Sequence, residues 1–292
     1  MTKKVVDIVN FNADASCLSS SIWMEALQGG TNSKICQWLS LFVRNKKKIN
    51  LGIIGSTLAD IKKYNPDAIN IINDKKDVFE IILRPWSHDI SLYRTDSLFI
   101  YNVELGIKSI KSEFESVSNY YLAPEFMITS RQIELIVKMG IEAIFINPER
   151  YQNDIKKRII PIPHLVYGTS GAIIKCITIH GNSTQKYLSS CQLNNPTIWD
   201  QFIQDHADDV IFSWRDGESF LLIPDGLSRE ESWLQGESDN FNRKKLQSLE
   251  IGYEDSWLYN HQYYKSYPIH SFTAWTKEMK MMWYVDRIRM IE

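Results

Sequence analysis

The sequence lacks any apolar run that approaches the roughly 20 residues needed to cross a bilayer. It also lacks an excess of charge of either sign, since 33 Lys and Arg stand against 35 Asp and Glu and leave a net charge of −2. A balance this close to neutrality disfavours the broad basic surface that binds nucleic acid. We therefore expect neither a membrane nor a nucleic acid as a partner.

Cysteine is scarce and irregularly spaced. The chain has four: Cys17, Cys36, Cys176 and Cys191. They form no CxxC pair, which disfavours both a cysteine-based zinc site and a disulfide framework. The stretch Val5–Phe11 is interrupted by Asp7 and is too short and polar for the apolar core of a secretory signal. The sequence thus predicts buried, reduced thiols and a cytoplasmic location.

The overall composition is that of a globular protein rich in aromatic residues. The 292 residues are 44% hydrophobic and include nine Trp, fourteen Tyr and twelve Phe. This length allows two domains of ~150 residues each, or a single α/β barrel with an extension. Aromatic rings fill cores, but they also form platforms for flat ligand faces such as those of sugars, and composition does not decide between these uses.

Short apolar runs alternate with amphipathic stretches over the first 150 residues. The predicted strands are Val5–Asn12, Ile49–Gly55, Phe79–Trp86, Tyr120–Phe126 and Ala143–Asn147. The predicted helices are Ser21–Leu27, Ser33–Arg44, Leu58–Tyr64, Pro66–Asn73, Ser97–Glu115 and Ser130–Met139, the last with Ser130 as its N-cap and Gly140 just past its end. Because these strands are apolar throughout rather than alternating, they are typical of a parallel sheet wrapped by helices.

The alternation is looser beyond residue 150. Further strands are predicted at Ile159–Tyr167, Ile173–His180 and Val210–Trp214, and further helices at Pro196–His206, Glu237–Leu249 and Thr276–Ile291. The simplest architecture is α/β, with one incomplete parallel barrel over residues 1–225. A helical, aromatic-rich extension over residues 226–292 would pack on that barrel.

Polar and aromatic side chains gather where the predicted strands end. In parallel barrels these carboxyl ends carry the reactive groups. The candidates are Asn12 and Asp14 after the first strand, Arg84, Trp86 and His88 at the third, Glu125 at the fourth, and Trp214, Arg215 and Asp216 at the late strand. We therefore expect the functional site to be built from these residues.

Two carboxylates among them have competing interpretations. Glu125 lies in an apolar stretch where an unpaired carboxylate is costly to bury, so it is either an ion-pair partner or a catalytic group. Asp216 precedes Gly217, and Asp-Gly between apolar strands is also a hairpin-turn signal. His88 is the best histidine candidate, although a single histidine is often only a hydrogen-bonded core residue.

Three motifs in chain order carry a family resemblance. Asp77-Val78-Phe79-Glu80-Ile81 followed by Trp86-Ser87-His88 is similar to a motif in which a Val-Glu strand ends in a histidine. Tyr121-Leu122-Ala123-Pro124-Glu125 is similar to a Trp-Leu-x-x-Glu motif that carries a nucleophile, and Asp216-Gly217-Glu218-Ser219-Phe220 to an Asp-Gly-Glu-Lys-Phe motif that carries a general acid/base. Together they resemble glycoside hydrolase family 57, retaining enzymes that act on α-glucans. The resemblance covers about residues 5–225.

The resemblance implies an incomplete (β/α)7 barrel that cleaves or transfers a glycosidic bond without a metal or organic cofactor. Its partner would be an oligosaccharide or a sugar-containing small molecule, with Glu125 as nucleophile and Asp216 as general acid/base. The implied substrate contacts are hydrogen bonds from Asn12, Asp14 and His88, stacking on Trp86 and Trp214, and an anion contact from Arg84 or Arg215, either of which could instead orient Glu125.

The sequence departs from the family pattern at three places. The first family motif has a His-Gln-Pro, whereas the corresponding stretch here is Asn10–Asp14. Tyr121 stands where the family has Trp, and Ser219 where it has Lys. These differences bear on the sugar subsite and hence on the substrate.

A more distant resemblance is to the polysaccharide deacetylases. Trp86-Ser87-His88 is similar to their metal-binding histidine motif, but Arg84 and Leu92 occupy the positions of a second histidine four residues away. A metal-dependent deacetylase and a catalytically silent carbohydrate-binding barrel therefore stay open as alternatives. An oligomer is open too, since the Trp- and Met-rich segment 275–283 would either cap the barrel or form a subunit contact.

Overall fold

The computed structural model describes residues 2–13, 20–89, 94–147, 162–168 and 170–254. The backbone divides into two compact units. The first unit comprises residues 1–83, 108–118 and 180–250, and the second comprises residues 84–107, 119–179 and 251–292, each as far as it is described.

The described residues form nine strands and ten α-helices. The strands are β1 (Lys3–Phe11), β2 (Ile49–Ile53), β3 (Phe79–Leu83), β4 (Val117–Tyr121), β5 (Ala143–Ile146), β6 (His164–Tyr167), β7 (Ile173–Thr178), β8 (Val210–Asp216) and β9 (Phe241–Arg243). The helices are α1 (Ser20–Leu27), α2 (Lys34–Arg44), α3 (Gly55–Tyr64), α4 (Pro66–Asp74), α5 (Asp96–Glu113), α6 (Ser130–Lys138), α7 (Ser183–Gln192), α8 (Thr197–Asp205), α9 (Ser219–Leu222) and α10 (Gly226–Gly236).

Both units are built on parallel strands. In the first unit β1 lies between β8 and β2, β2 pairs with β3, and β9 adds to the start of β1, all in parallel. In the second unit β4 and β7 flank β5 in parallel, and β6 runs antiparallel to β7. Strands β2, β3 and β5 are buried along their whole length, as their unbroken apolar sequences predict. The predicted α/β class with a mainly parallel sheet is confirmed.

Most of the predicted elements in the first 150 residues are present, with shifted ends. Pro66 begins α4 as expected, and Gly140, with φ +77°, follows the end of α6. The N-cap of α6 is Thr129 rather than the predicted Ser130. Its hydroxyl accepts from the Gln132 N–H, and the Gln132 side chain accepts from the Thr129 N–H, which forms a capping box.

The predictions after residue 180 were less accurate. Helices α7 and α10 were missed because both have many polar residues and a weak apolar periodicity. The predicted helix Glu237–Leu249 is wrong: Phe241–Arg243 pairs with the start of β1, and Leu246–Ser248 is a single 3-10 turn. The predicted helix Thr276–Ile291 lies outside the described residues, and the boundary at residue 225 stays a prediction.

The cysteines that are described are free and buried. These are Cys36, Cys176 and Cys191, whereas Cys17 lies outside the described residues. Burial raises the pKa of the Cys191 thiol to about 12, so it is protonated and inert at neutral pH. No helix in the described part of the chain is long and apolar enough to cross a membrane.

A buried ion network joins β1, β8 and β9 in the first unit. Its centre is Asp7, which is fully buried in the middle of β1. The Asp7 carboxylate accepts hydrogen bonds from Arg215 Nε at 3.2 Å and from Arg243 Nη1 at 2.9 Å. Burial by itself would raise the pKa of Asp7, but the two guanidinium groups outweigh it and hold that pKa below its ordinary value.

Two further acids complete the network. Glu230 on α10 lies 2.9 Å from Arg215 Nη1 and accepts a hydrogen bond from the Trp38 indole at 2.7 Å. Glu237 pairs with Arg243 and with Lys47, each at 2.9 Å. Three acids thus face three cations inside the fold, so the network is balanced in charge but depends on every member being present.

We expect Arg215→Met to destabilise the protein by about 3–5 kcal/mol, because it leaves Asp7 and Glu230 buried without their cation. Urea unfolding followed by circular dichroism measures this loss. Arg44→Met is the matched control, since Arg44 forms an ion pair with Glu231 but is 57% exposed, and we expect it to cost at most ~1 kcal/mol. Equal losses for the two variants would contradict the account.

Glu80 is a second buried acid of the first unit. It lies in the interior of β3 with no exposed surface, and its carboxylate accepts from the Gln247 N–H at 3.1 Å. Burial raises its pKa from 4.5 to about 7, although the backbone hydrogen bond and Lys245 act in the opposite direction. The acidic residue of the second motif is therefore a core residue beneath the segment 246–247.

The raised pKa of Glu80 predicts a pH-dependent stability. Between pH 4.5 and 7 the unfolded chain loses a proton that the folded chain keeps, so the free energy of unfolding falls with rising pH by up to ~3 kcal/mol. Glu80→Gln removes this dependence. Its free energy of unfolding in urea, relative to that of the wild type, should therefore rise from pH 5 to pH 8. Glu115→Gln, which removes a carboxyl that is 70% exposed, is the control. If the free energies of unfolding of the wild type and of Glu80→Gln differed by the same amount at every pH, the raised pKa of Glu80 would be contradicted.

Candidate active site

Glu125 lies on a short turn rather than on a strand. β4 ends at Tyr121, and Pro124–Phe126 form a 3-10 turn, so the predicted strand Tyr120–Phe126 is too long. Glu125 and Phe126 have φ values of 52° and 60°, in the left-handed region that side chains other than glycine rarely adopt. Such residues cost about 1–3 kcal/mol each and persist where their surroundings hold them, often at functional sites. Phe126, which is only 1% exposed, anchors this turn in the core.

A histidine and an arginine stand behind the Glu125 carboxylate in the same unit. His88 Nε2 lies 3.1 Å from Glu125 Oε1, and Arg84 Nη2 lies 3.1 Å from His88 Nδ1. Arg84 Nη1 also donates to the carbonyl oxygen of Leu122 at 2.5 Å. The three predicted site residues Arg84, His88 and Glu125 are therefore brought together in one hydrogen-bonded chain.

The segment 84–88 is fastened to helix α5. The Trp86 N–H donates to the Asn102 carbonyl oxygen and the Ser87 N–H to the Asn102 side-chain oxygen, both at 2.9 Å. A Cβ on Gly106 would lie 2.3 Å from the carbonyl oxygen of Arg84, so only glycine allows this close approach. The sequence analysis did not predict a role for Asn102 or Gly106. The only hint in the sequence is that a polar residue and a glycine stand inside a predicted helix.

Asp216 is the last residue of β8 and lies beside Asn10 of β1 in the sheet. The Gly217 N–H donates to the Asn10 carbonyl oxygen at 2.6 Å, which continues the parallel pairing, so the hairpin interpretation is wrong. A Cβ on Gly217 would lie 2.4 Å from the ring of Phe11. The turn after Asp216 thus needs glycine because the end of β1 packs directly against it.

Asn12 is held at the end of β1 by two polar contacts. Its N–H donates to Glu218 Oε1 at 3.3 Å, and its side-chain oxygen accepts from Asn10 Nδ2 at 3.2 Å. Glu218, which follows the late strand two residues after Asp216, is only 2% exposed and ties the Asp-Gly-Glu segment to β1. Asp14, the other predicted residue of this stretch, lies outside the described residues.

The two predicted arginines are not placed to contact a substrate. Arg215 is fully buried within the ion network of Asp7, and Arg84 is 1% exposed. The prediction that either side chain holds an anionic group of the ligand is therefore corrected: a ligand cannot reach them. Arg84 is instead placed to orient Glu125, the other role that the sequence suggested for it.

The two predicted tryptophans differ in exposure. Trp86 is partly exposed and keeps surface for a ligand. Trp214 is 8% exposed, and its backbone N–H and C=O are both bonded to the hydroxyl of Ser183 at the start of α7. Stacking on Trp86 fits this exposure, whereas Trp214 contributes mainly to the core.

Two departures from the family motifs fall on buried side chains. Tyr121, which stands in place of Trp, has no exposed surface, and Ser219, which stands in place of Lys, is 7% exposed at the start of α9. Burial raises the pKa of Tyr121 well above its ordinary value, so its hydroxyl is neutral. The tyrosine therefore changes the core of the second unit rather than a surface that a sugar contacts.

The surroundings of His88 bear on the deacetylase alternative. A metal-binding histidine uses one ring nitrogen for the metal and the other for a supporting acceptor. Here Nδ1 faces the guanidinium of Arg84 and Nε2 faces Glu125, so the arrangement does not fit a ligand role for this histidine. Within the described ranges no group of three or more His, Cys, Asp or Glu is placed to hold a metal ion.

Comparisons with known proteins agree with this architecture. The chain is similar to the crystal structure of a 4-alpha-glucanotransferase from Thermococcus litoralis, with a TM-score of 0.66 and 12% identity, over 92% of this chain and 41% of that one. It is similar to a branching enzyme of glycoside hydrolase family 57 from Thermococcus kodakaraensis, solved in complex with glucose, with a TM-score of 0.63 and 9% identity, over 99% and 78% of the two chains. At these identities the likeness establishes the fold.

A putative polysaccharide deacetylase from Mycobacterium smegmatis shares that fold more distantly. Its TM-score is 0.55 and its identity 11%, over 83% of this chain and 87% of that one. No curated protein matches the sequence. The chain spans less than half the length of the glucanotransferase, so the activity of that whole protein does not transfer directly.

A family model settles the relationship. Residues 23–175 match the model described as Glycosyl hydrolase family 57, and this segment is 153 of the 292 residues. The match includes two of the three motifs, those that end in His88 and Glu125. Together with the family 57 fold, it confirms the resemblance and the (β/α)7 barrel class. The chain belongs to glycosyl hydrolase family 57.

Proposed function

We propose that the protein cleaves or transfers a glycosidic bond of an oligosaccharide with retention, with Glu125 as nucleophile and Asp216 as general acid/base. The observation that carries this proposal is the environment of Glu125. Its carboxylate is 15% exposed, sits on a strained turn and accepts a hydrogen bond from His88. A strained, oriented and accessible carboxylate is what a nucleophile requires.

The proposed reaction has two displacement steps. In the first, a Glu125 carboxylate oxygen attacks the anomeric carbon, the bond to the leaving oxygen breaks, and Asp216 gives its proton to that oxygen. In the second, Asp216 takes a proton from water or from a sugar hydroxyl, whose oxygen attacks the anomeric carbon and releases Glu125 from the ester. Retention follows from two inversions, and the proposal requires the two carboxyl groups to be ~5–5.5 Å apart during the reaction.

The hydrogen bonds on Glu125 suit the nucleophile rather than the acid. The imidazole N–H of His88 is directed at one oxygen of this carboxylate and orients it, and the guanidinium of Arg84 lies next to the same imidazole. Asp216 ends β8, and Trp214 lies on the same face of that strand, so an apolar ring adjoins the proposed acid. These surroundings support the division of roles that the motifs suggest.

The remaining substrate contacts belong to the same proposal. Trp86 offers a partly exposed ring for stacking, and Asn12 and Asp14 are the proposed hydrogen-bond partners of sugar hydroxyls. The hydrogen bond expected from His88 to the sugar does not fit, because Arg84 and Glu125 engage both of its ring nitrogens. Family 57 membership and the glucose complex of the similar branching enzyme support a sugar ligand. The cytoplasmic location is also proposed, and the free, buried Cys36, Cys176 and Cys191 support it.

Azide rescue separates the two proposed roles. With 4-nitrophenyl α-maltoside as probe, we expect Glu125→Ala to lose nearly all activity, and azide to restore turnover by attacking from the vacated side and giving the inverted glycosyl azide. Asp216→Ala should lose about 10²–10⁴-fold with poor leaving groups but less with 4-nitrophenol, and azide should give the retained glycosyl azide. Product configuration is read by proton NMR.

The matched control is Glu142→Ala, a carboxylate of the same unit as Glu125 that is 56% exposed, and we expect it to leave activity unchanged. Full activity of either Glu125→Ala or Asp216→Ala on a glycoside that the wild type cleaves would refute the assignment. Loss of wild-type activity with EDTA, together with release of acetate from acetylated chitooligosaccharides, would instead favour the deacetylase alternative.

A further inference from the structure

We infer that Arg84 is a positioning residue that fixes the tautomer of His88 and thereby the orientation of the Glu125 carboxylate. This inference rests on the proposed function, in which Glu125 is the nucleophile. Arg84 was expected from the sequence either to bind the substrate or to form an ion pair with Glu125. The structure buries Arg84 away from a ligand and places His88 in contact with both Arg84 and Glu125.

The direction of the hydrogen bonds follows from the chemistry of arginine. A guanidinium group stays protonated in proteins and only donates. Arg84 Nη2 lies 3.1 Å from His88 Nδ1, so Nδ1 accepts and carries no proton. The ring proton of the neutral imidazole is then on Nε2, which donates to Glu125 Oε1 at 3.1 Å. The tautomer is assigned from these partners.

The opposite tautomer would place two acceptors face to face. If Nδ1 carried the proton, the lone pair of Nε2 would point at the carboxylate of Glu125, and the donor that holds this carboxylate would be lost. The Nδ1 proton would also face a guanidinium N–H of Arg84. Arg84 therefore selects against that tautomer at both ends of the imidazole ring.

The same guanidinium also holds the turn that carries Glu125. Its Nη1 donates to the Leu122 carbonyl oxygen, three residues before Glu125, while its Nη2 holds His88. One rigid, planar guanidinium group thus holds both the Leu122 backbone before the strained turn and the His88 side chain that donates to the Glu125 carboxylate. A lysine cannot do both, because its single ammonium group cannot reproduce the two directions of the fork.

The support of the segment 84–88 makes this geometry persistent. Asn102 binds the N–H groups of Trp86 and Ser87, and Gly106 lets α5 pack against the Arg84 carbonyl. Arg84 itself is 1% exposed, so water does not compete for its donors. A merely structural arginine would share this burial, but it would have no effect on which nitrogen of His88 carries the proton.

The tautomer can be measured without a substrate. In protein labelled with ¹⁵N-histidine, long-range ¹H–¹⁵N correlation spectra at pH 8 distinguish protonated from unprotonated ring nitrogens, and the His88→Gln variant assigns the signals. We expect an Nε2–H tautomer in the wild type, and a mixture of tautomers or an Nδ1–H tautomer in Arg84→Met and Arg84→Lys. Arg131→Lys, an exposed arginine paired with Asp96, is the control and should keep the wild-type spectrum.

A double-mutant cycle tests the consequence for catalysis. With 4-nitrophenyl α-maltoside we expect Arg84→Lys to lower kcat about 10–100-fold with little change in KM. When His88 is already replaced by Ala we expect a clearly smaller loss, because only the contact with Leu122 is then left to disturb. The pH profile of kcat should shift in Arg84→Lys, whereas Arg131→Lys should match the wild type. Arg84→Lys keeps the charge in the core, so it serves if Arg84→Met does not fold.

The outcomes separate the inference from the proposed function. An Nδ1–H tautomer in the wild type, a tautomer that Arg84 variants leave unchanged, or equal effects of Arg84→Lys with and without His88 would each overturn the positioning role. If Glu125→Ala kept full activity, the proposed function would fail, and the link from Arg84 to the nucleophile would fail with it. The tautomer result would then describe only the fold.

Discussion

Each candidate catalytic carboxylate depends on a buried arginine in its own unit. In the first unit Arg215 pairs with Asp7 and Glu230 and thereby fixes the end of β8, whose last residue is Asp216. In the second unit Arg84 holds Leu122 and His88 and thereby fixes the turn and the hydrogen-bond donor of Glu125. Guanidinium groups suit this purpose because they remain charged when buried and donate in several fixed directions. The reactive groups can then lie near the surface while the charges that hold them lie in the core.

The sequence predicted the positions of the strands better than the directions of the side chains. Unbroken apolar runs such as Phe79–Leu83 are unambiguous, and the motifs placed Glu125 and Asp216 at strand ends. The prediction that Arg215 contacts the substrate was wrong, because all residues at a strand end were assumed to face the same side of the sheet. Neighbours on a strand point to opposite faces, so Arg215 faces away from Asp216 and into the core. The left-handed turn at Glu125 had no sequence signal, because neither Glu125 nor Phe126 is a residue type that favours it.

The departures from the family motifs acquire different meanings in the structure. Tyr121 in place of Trp and Ser219 in place of Lys are buried, so they adjust the packing behind the site. The change from His-Gln-Pro to Asn10–Asp14 is different because of its contacts and not because of its exposure. Asn12 is also only 7% exposed, but it lies at the end of β1 and is bonded to Asn10 and to Glu218 of the Asp-Gly-Glu segment. This substitution concerns the contacts proposed for the sugar, and it is where we expect the substrate preference to differ from that of the similar enzymes.

The most direct test of the account is to identify the residue that forms the glycosyl ester. The reagent 5-fluoro-α-D-glucosyl fluoride forms such an ester, and its ring fluorine slows hydrolysis of the ester enough for it to accumulate. Mass spectrometry of the digested protein then locates the labelled residue. The tryptic peptide Ser112–Arg131 contains Glu125 together with Glu113 and Glu115, which serve as internal controls. The account predicts one fluoroglucosyl group on Glu125. A label on any other residue, or a reaction product of inverted anomeric configuration, would contradict it.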